Sequence, residues 1–122
     1  MTNKHHNPRG PLIDMRDYGQ RVVALVSGRT VEAITGEAGW PNRAALERGL
    51  FIIGEAANRV PREVQQQFPE IPWSAIIGLR NVLAHGYEVV SPERLWQTAA
   101  VSVPELLQHL DAAIARQPPF EV

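Results

Sequence analysis

The sequence predicts an all-α protein, folded as an antiparallel bundle of four to five helices. Three observations carry that expectation. Apolar residues recur at steps of three and four along nearly the whole chain, and no stretch alternates with period two. The glycine and proline breaks leave amphipathic segments joined by short connections. A length of 122 residues with 44% hydrophobic and 20% charged side chains suits one globular domain around a single core.

The first helix is expected from about Leu12 to Val26, with Leu12, Met15, Gly19, Val22 and Val26 on its apolar face. Ser27-Gly28-Arg29 breaks it. Thr30 is placed to N-cap a short turn through Val31, Ala33 and Ile34, with Gly36 and Gly39 as its stops. A longer helix follows Trp40-Pro41 and runs to about Val60 on a stripe of Leu46, Leu50, Ile53, Ala57 and Val60. Gly49 and Gly54 lie inside it, each costing about 1 kcal/mol relative to Ala, and read as points of close helix approach. Pro61 opens a short helix that Phe68-Pro69 closes, and Pro72 opens another from Trp73 to about Ala84. Ser91-Pro92 starts the last helix, to about Arg116, with Leu95, Ala99, Val103, Leu106, Leu110 and Ile114 facing inward. Pro104 sits inside it and should kink it. Residues 1–10 and 118–122 read as tails without fixed structure around a helical domain at 11–117.

Twelve Lys+Arg against thirteen Asp+Glu leave a net charge of −1, which excludes a histone-like nucleic-acid binder but not a compact phosphate site. Lys4 is the only lysine, so any such site is made of arginine forks. The absence of cysteine excludes disulfides, thiolate metal sites and a Cys nucleophile. No apolar run approaches a bilayer span, and the polar N-terminus lacks the apolar centre of a signal peptide, so a cytoplasmic protein without membrane contact is expected.

One segment breaks the binary pattern. Trp73, Ile76 and Ile77 define an apolar face, and Arg80 falls three and four residues after the two isoleucines. A permanent charge there is costly unless it is paired or faces a cleft. The chain continues Asn81-Val82-Leu83-Ala84-His85-Gly86-Tyr87. Arg80 and His85 are five apart, about 140° on an ideal helix, so they converge only where the helix ends or where a second subunit supplies the partner. Arg, His, Asn and Tyr together suit phosphodiester chemistry without a metal: Arg neutralises charge on phosphate oxygens while His moves a proton. With RNA, the substrate's own 2′-OH is the nucleophile.

The string Arg80-Asn81-Val82-Leu83-Ala84-His85-Gly86-Tyr87 resembles the signature of HEPN-superfamily ribonucleases, and its His-any-Tyr extension resembles the HepT toxin branch. The resemblance continues in Ile52-Ile53-Gly54-Glu55-Ala56-Ala57-Asn58-Arg59, in Phe68-Pro69-Glu70-Ile71-Pro72-Trp73, and from Leu95-Trp96 to Val103-Pro104-Glu105-Leu106, covering residues 11 to 115. It implies a HEPN-like bundle that homodimerises and brings two motifs into one cleft. It also implies metal-independent endoribonuclease activity on tRNA or mRNA, with no cofactor, in a toxin–antitoxin pair. The implied partner is an MntA-like minimal nucleotidyltransferase antitoxin, which silences the toxin by transferring AMP to the motif tyrosine, within a larger hetero-oligomer. By position, Arg80 and His85 are then catalytic, Asn81 and Glu55 auxiliary, and Tyr87 the AMP acceptor.

Plainer roles stand beside these. Arg80 and Glu55 can form a structural ion pair, His85 a helix C-cap, and Tyr87 a packing residue at the bundle end. Trp73 and Trp96 read as core anchors, Trp40 as a cap over its loop, and His109 as solvent-facing. Arg16, Arg21, Arg43, Arg48, Arg59 and Arg62 read as surface charges. The alternative function is a non-catalytic helical module that binds a nucleotidyltransferase or its nucleotide. A purely structural dimerisation domain leaves the charge on the apolar face unexplained.

Overall fold

The computed structural model describes residues 7–85 and 90–119, and among these the chain is helical, without strands. Helix α1 spans Arg9–Val26, a 3-10 turn covers Val31–Ile34, and α2 spans Gly36–Arg59. Two shorter helices follow, α3 at Arg62–Gln67 and α4 at Trp73–Leu83. Helix α5 (Pro92–Gln97) leads through a π turn at Thr98–Ser102 into α6 (Val103–Ala115), forming one helical rod. α1 packs on α2 and α6, α2 packs on α4, and α4 touches the π turn. This is the all-α bundle expected from the periodicity. No helix among the described residues is long and apolar enough to cross a membrane.

The expected apolar stripes form the core. Leu12, Met15, Leu46, Ile53, Leu95, Val103, Leu106 and Leu110 are fully buried. Trp73 is buried and its indole N–H donates to the Phe68 carbonyl at 3.0 Å, closing the turn between α3 and α4. Trp96 packs against the core in part.

Several local readings differ from expectation. α2 begins at Gly36, five residues before Pro41, so Gly36 and Gly39 do not stop a segment but start this one. Gly36 has φ +65°, the left-handed conformation that turns the chain into the helix. Pro41 sits in the second turn, where the Glu37 carbonyl that loses its partner belongs to an exposed residue. Trp40 is 65% exposed and caps nothing. His109 is half-buried, not solvent-facing. Pro104 is accommodated by the π turn just before it, since the extra residue per turn moves the preceding carbonyls out of the ring's way. At the N-terminal end α1 begins at Arg9. The Asn7 side-chain oxygen accepts the Arg9 N–H at 2.8 Å, and the Asn7 amide donates to the Pro118 carbonyl at 3.4 Å.

The helix seams explain the internal glycines. A Cβ on Gly49 would lie 2.7 Å from Val22 Cγ2, where α1 crosses α2. A Cβ on Gly54 would collide with Cβ of Arg80 and lie 3.0 Å from the Ile76 carbonyl oxygen, so α4 can seat on α2 only because Gly54 has no side chain. Gly78 is the opposite case: a Cβ there would meet nothing within 4 Å.

These environments give substitutions of opposite sign. Gly54→Ala should lower stability by about 1–3 kcal/mol, because backbone must move to admit the methyl. Gly78→Ala should raise it by up to about 1 kcal/mol through helix propensity alone. Urea denaturation of both variants checks the pair; equal effects would contradict the packing described for α2 and α4.

Candidate active site

Arg80 stands in the last turn of α4, with its stem laid into the gap that Gly54 leaves on α2. Its head meets the neighbouring residue, Glu55. Arg80 Nε donates to Glu55 Oε1 at 2.7 Å, and Nη2 pairs with the same oxygen. Nη1 donates to Asn81 Oδ1 at 3.0 Å. A guanidinium carries five N–H donors, so these three contacts leave two uncommitted. The side chains of Arg80 and Glu55 are 26% and 31% exposed. A pair this open to water adds little to stability, about 1 kcal/mol at most. Its main physical effect is to fix the direction of the guanidinium.

His85 follows the end of α4. Its backbone N–H donates to the Val82 carbonyl at 3.1 Å, which curls the chain back at the helix terminus. Its Nδ1 lies 2.6 Å from the Asn81 carbonyl oxygen, one of the carbonyls that the helix end leaves unpaired. A carbonyl oxygen only accepts, so Nδ1 donates in this contact, which leaves Nε2 as the acceptor of the neutral ring. The C-cap residue of α4 is Ala84, not His85, which lies one position beyond it and covers the Asn81 carbonyl with its side chain.

Asn81 joins the two. Its side chain accepts from Arg80 and its main-chain carbonyl accepts from His85, so both residues touch Asn81 although they stand about 140° apart on an ideal helix. The chain thus brings together Glu55, Arg80, Asn81 and His85, at the place where helix geometry required the helix to end. Tyr87 lies outside the described residues.

One neighbour, Phe51, was not singled out by the sequence. The Phe51 ring centroid is 5.8 Å from the guanidinium carbon of Arg80 and 5.8 Å from that of Arg48, a cation–π arrangement on both. Phe51 stands four residues before Glu55, on the same face of α2, and that spacing was the available signal. Arg43 is not a free surface charge. Its Nη2 donates to the Val90 carbonyl at 2.6 Å and its Nε to Glu47 at 3.4 Å, tying α2 to the chain that enters α5.

Similarity to known proteins extends over most of the chain. A family described as "Ribonuclease HepT-like" matches residues 15–113, a span that contains Glu55, Arg80, Asn81, His85 and Tyr87. Among curated relatives, "Putative RNase MJ1380" of Methanocaldococcus jannaschii is 35% identical over 69 residues, 57% of this chain and 63% of that protein. "Putative RNase TTE0752" of Caldanaerobacter subterraneus is 33% identical over 73 residues, 60% of this chain and 65% of that protein. "Probable ribonuclease HepT" of Thermococcus cleftensis is 39% identical over 62 residues, 51% of this chain and 56% of that protein. The chain thus aligns with somewhat over half the length of these relatives, and no solved structure matches it. With a family match over most of its length, the chain belongs to the ribonuclease HepT-like family.

Proposed function

We propose that the protein is a metal-independent endoribonuclease, with Arg80 and His85 as its catalytic residues. The observation that carries this reading is the double use of Asn81, which holds the Arg80 guanidinium by its side chain and the His85 imidazole by its carbonyl. In the cleavage step the 2′-oxygen of the RNA forms a bond to the adjacent phosphorus, and the bond from phosphorus to the 5′-oxygen breaks. One proton leaves the 2′-OH and one arrives on the departing 5′-oxygen, giving a 2′,3′-cyclic phosphate and a 5′-hydroxyl. His85 Nε2 takes the first proton as a neutral base, or supplies the second as imidazolium. The two uncommitted N–H groups of Arg80 meet the charge that builds on the phosphate oxygens. Glu55 positions Arg80. A homodimer that pairs two motifs in one cleft supplies an acid and a base together, and two copies of Arg80 for one phosphate.

Within the same reading the protein is the toxin of a toxin–antitoxin pair, silenced by an MntA-like nucleotidyltransferase that transfers AMP to Tyr87. The phenolic oxygen attacks the α-phosphorus of ATP, pyrophosphate leaves, and the phenolic proton is released. An adenylate two residues along the chain from His85 then obstructs the RNA.

Single-turnover cleavage of RNA in EDTA tests the catalytic assignment. Arg80→Ala and His85→Ala should each cut at least about 100-fold more slowly than the unsubstituted chain. Equal rates in all three would remove both residues from catalysis. Binding of a nucleotidyltransferase or its nucleotide by an unsubstituted chain that cleaves no RNA would favour the non-catalytic module instead. For the switch, incubation with a cognate nucleotidyltransferase and ATP should add one AMP at Tyr87, read by mass spectrometry. Equal modification and silencing of Tyr87→Phe would contradict it.

A further inference from the structure

The outer face of α4 continues past the Arg80–Asn81–His85 cluster. Ser74, Gly78, Asn81 and His85 follow one another at steps of four, three and four, one stripe along the helix. Ser74, Gly78 and Asn81 of that stripe floor a groove of about 510 Å³, walled by Ile77 and by residues of α3 that include Arg62 and Gln66. The volume lies in the range of small-ligand sites, ~300–1,000 Å³. Two lining groups are committed elsewhere: the Trp73 indole N–H to Phe68, and the Gln65 amide to the carbonyls of Ala57 and Val60. Gln66, Ser74 and Arg62 make no side-chain hydrogen bond or ion pair among the described residues. They are exposed and free to address something outside the chain.

Gly78 is the informative residue. A glycine on the open face of a helix costs about 1 kcal/mol relative to Ala. Gly19, Gly39, Gly49 and Gly54 meet that cost by admitting neighbours from this chain, whereas the space over Gly78 is empty. A missing Cβ there leaves bare backbone at the middle of the groove, one turn from Asn81, where a flat group can lie close. The walls offer what a nucleotide needs: the half-buried Ile77 for a base face, an amide and a hydroxyl for a base edge, and a guanidinium for a phosphate.

We propose that this groove is the subsite for a nucleotide flanking the scissile phosphate of an RNA strand. Its base lies over Gly78 against Ile77, its edge is read by Gln66 and Ser74, and its phosphate meets Arg62. The subsite rests on the ribonuclease reading above and adds a base preference to it. The groove opens onto Asn81, which already holds Arg80 and His85, so a strand threaded through the groove delivers its next phosphate to them.

The test uses the full chain and oligonucleotides that carry a single ribonucleotide in a deoxy background, differing only in the bases flanking it. Cleavage of each is compared for the unsubstituted protein, Gly78→Leu and Gln66→Ala, with thermal denaturation and sedimentation velocity run alongside. Gly78→Leu is expected to raise KM by ~10-fold or more without lowering thermal stability, because its Cβ enters open space and the rest of the side chain extends into the groove. Gln66→Ala is expected to flatten the preference among flanking bases by ~3-fold or more. Unchanged KM and unchanged base preference in both variants would overturn the subsite while leaving the ribonuclease reading intact. A Gly78→Leu chain that changes oligomeric state with base preference retained would assign the groove to a second copy of the chain, and would also overturn it. No cleavage of any oligonucleotide by the unsubstituted protein would bring down the ribonuclease reading, and the subsite with it.

Discussion

The close approach of α4 to α2 at Gly54 is the contact on which the site depends. A methyl group at Gly54 would occupy the space of the Arg80 Cβ, so the two helices meet at this distance only with glycine there. The approach sets the Arg80 head beside Glu55, the next residue on α2. Packing and electrostatics thereby share one dipeptide: Gly54 makes room for the stem, and Glu55 holds the charge. An arginine on an otherwise apolar face is tolerated because its aliphatic part is packed and its charged part is paired and near water.

From that anchor the rest of the cluster follows locally. Once Arg80 is directed toward Glu55, its remaining end reaches the side chain of the next residue, Asn81, and the Asn81 carbonyl lies at the helix terminus where His85 returns. Apart from Glu55 on α2, the cluster is built within one helical turn and its end. The same economy bears on charge. With a net charge of −1, the proposed RNA binding would draw on a few focused cations and on groove contacts and not on bulk attraction. On that proposal Arg80, Arg48 beside Phe51, and Arg62 at the groove are the candidates.

Much of this was legible in the sequence, for physical reasons. Helical periodicity is a strong signal when stripes are long, and the buried faces of α1, α2 and the α5–α6 rod are those that the spacing of Leu12, Leu46 and Leu106 and their neighbours implied. Gly54 and Glu55 were readable as a close approach and a partner for Arg80. What escaped was the outcome of local competition. The start of α2 at Gly36 depended on a left-handed residue opening a helix where glycines usually end one, and on Pro41 being tolerated near a helix start. The kink expected at Pro104 became a π turn, a choice between two ways of relieving the same clash. The link through Asn81 depended on a main-chain carbonyl, which has no signature in side-chain spacing.

The most direct measurement of the central claim is a double-mutant cycle on single-turnover RNA cleavage, with Gly54→Ala, Arg80→Ala and the combination of the two. If Gly54 acts by seating Arg80, the double variant should be no slower than Arg80→Ala alone, because the second substitution removes an interaction already lost. Losses that multiply, each substitution slowing cleavage by its own factor in the presence of the other, would show that the two residues act independently. That result would contradict the dependence of the site on the α2–α4 contact.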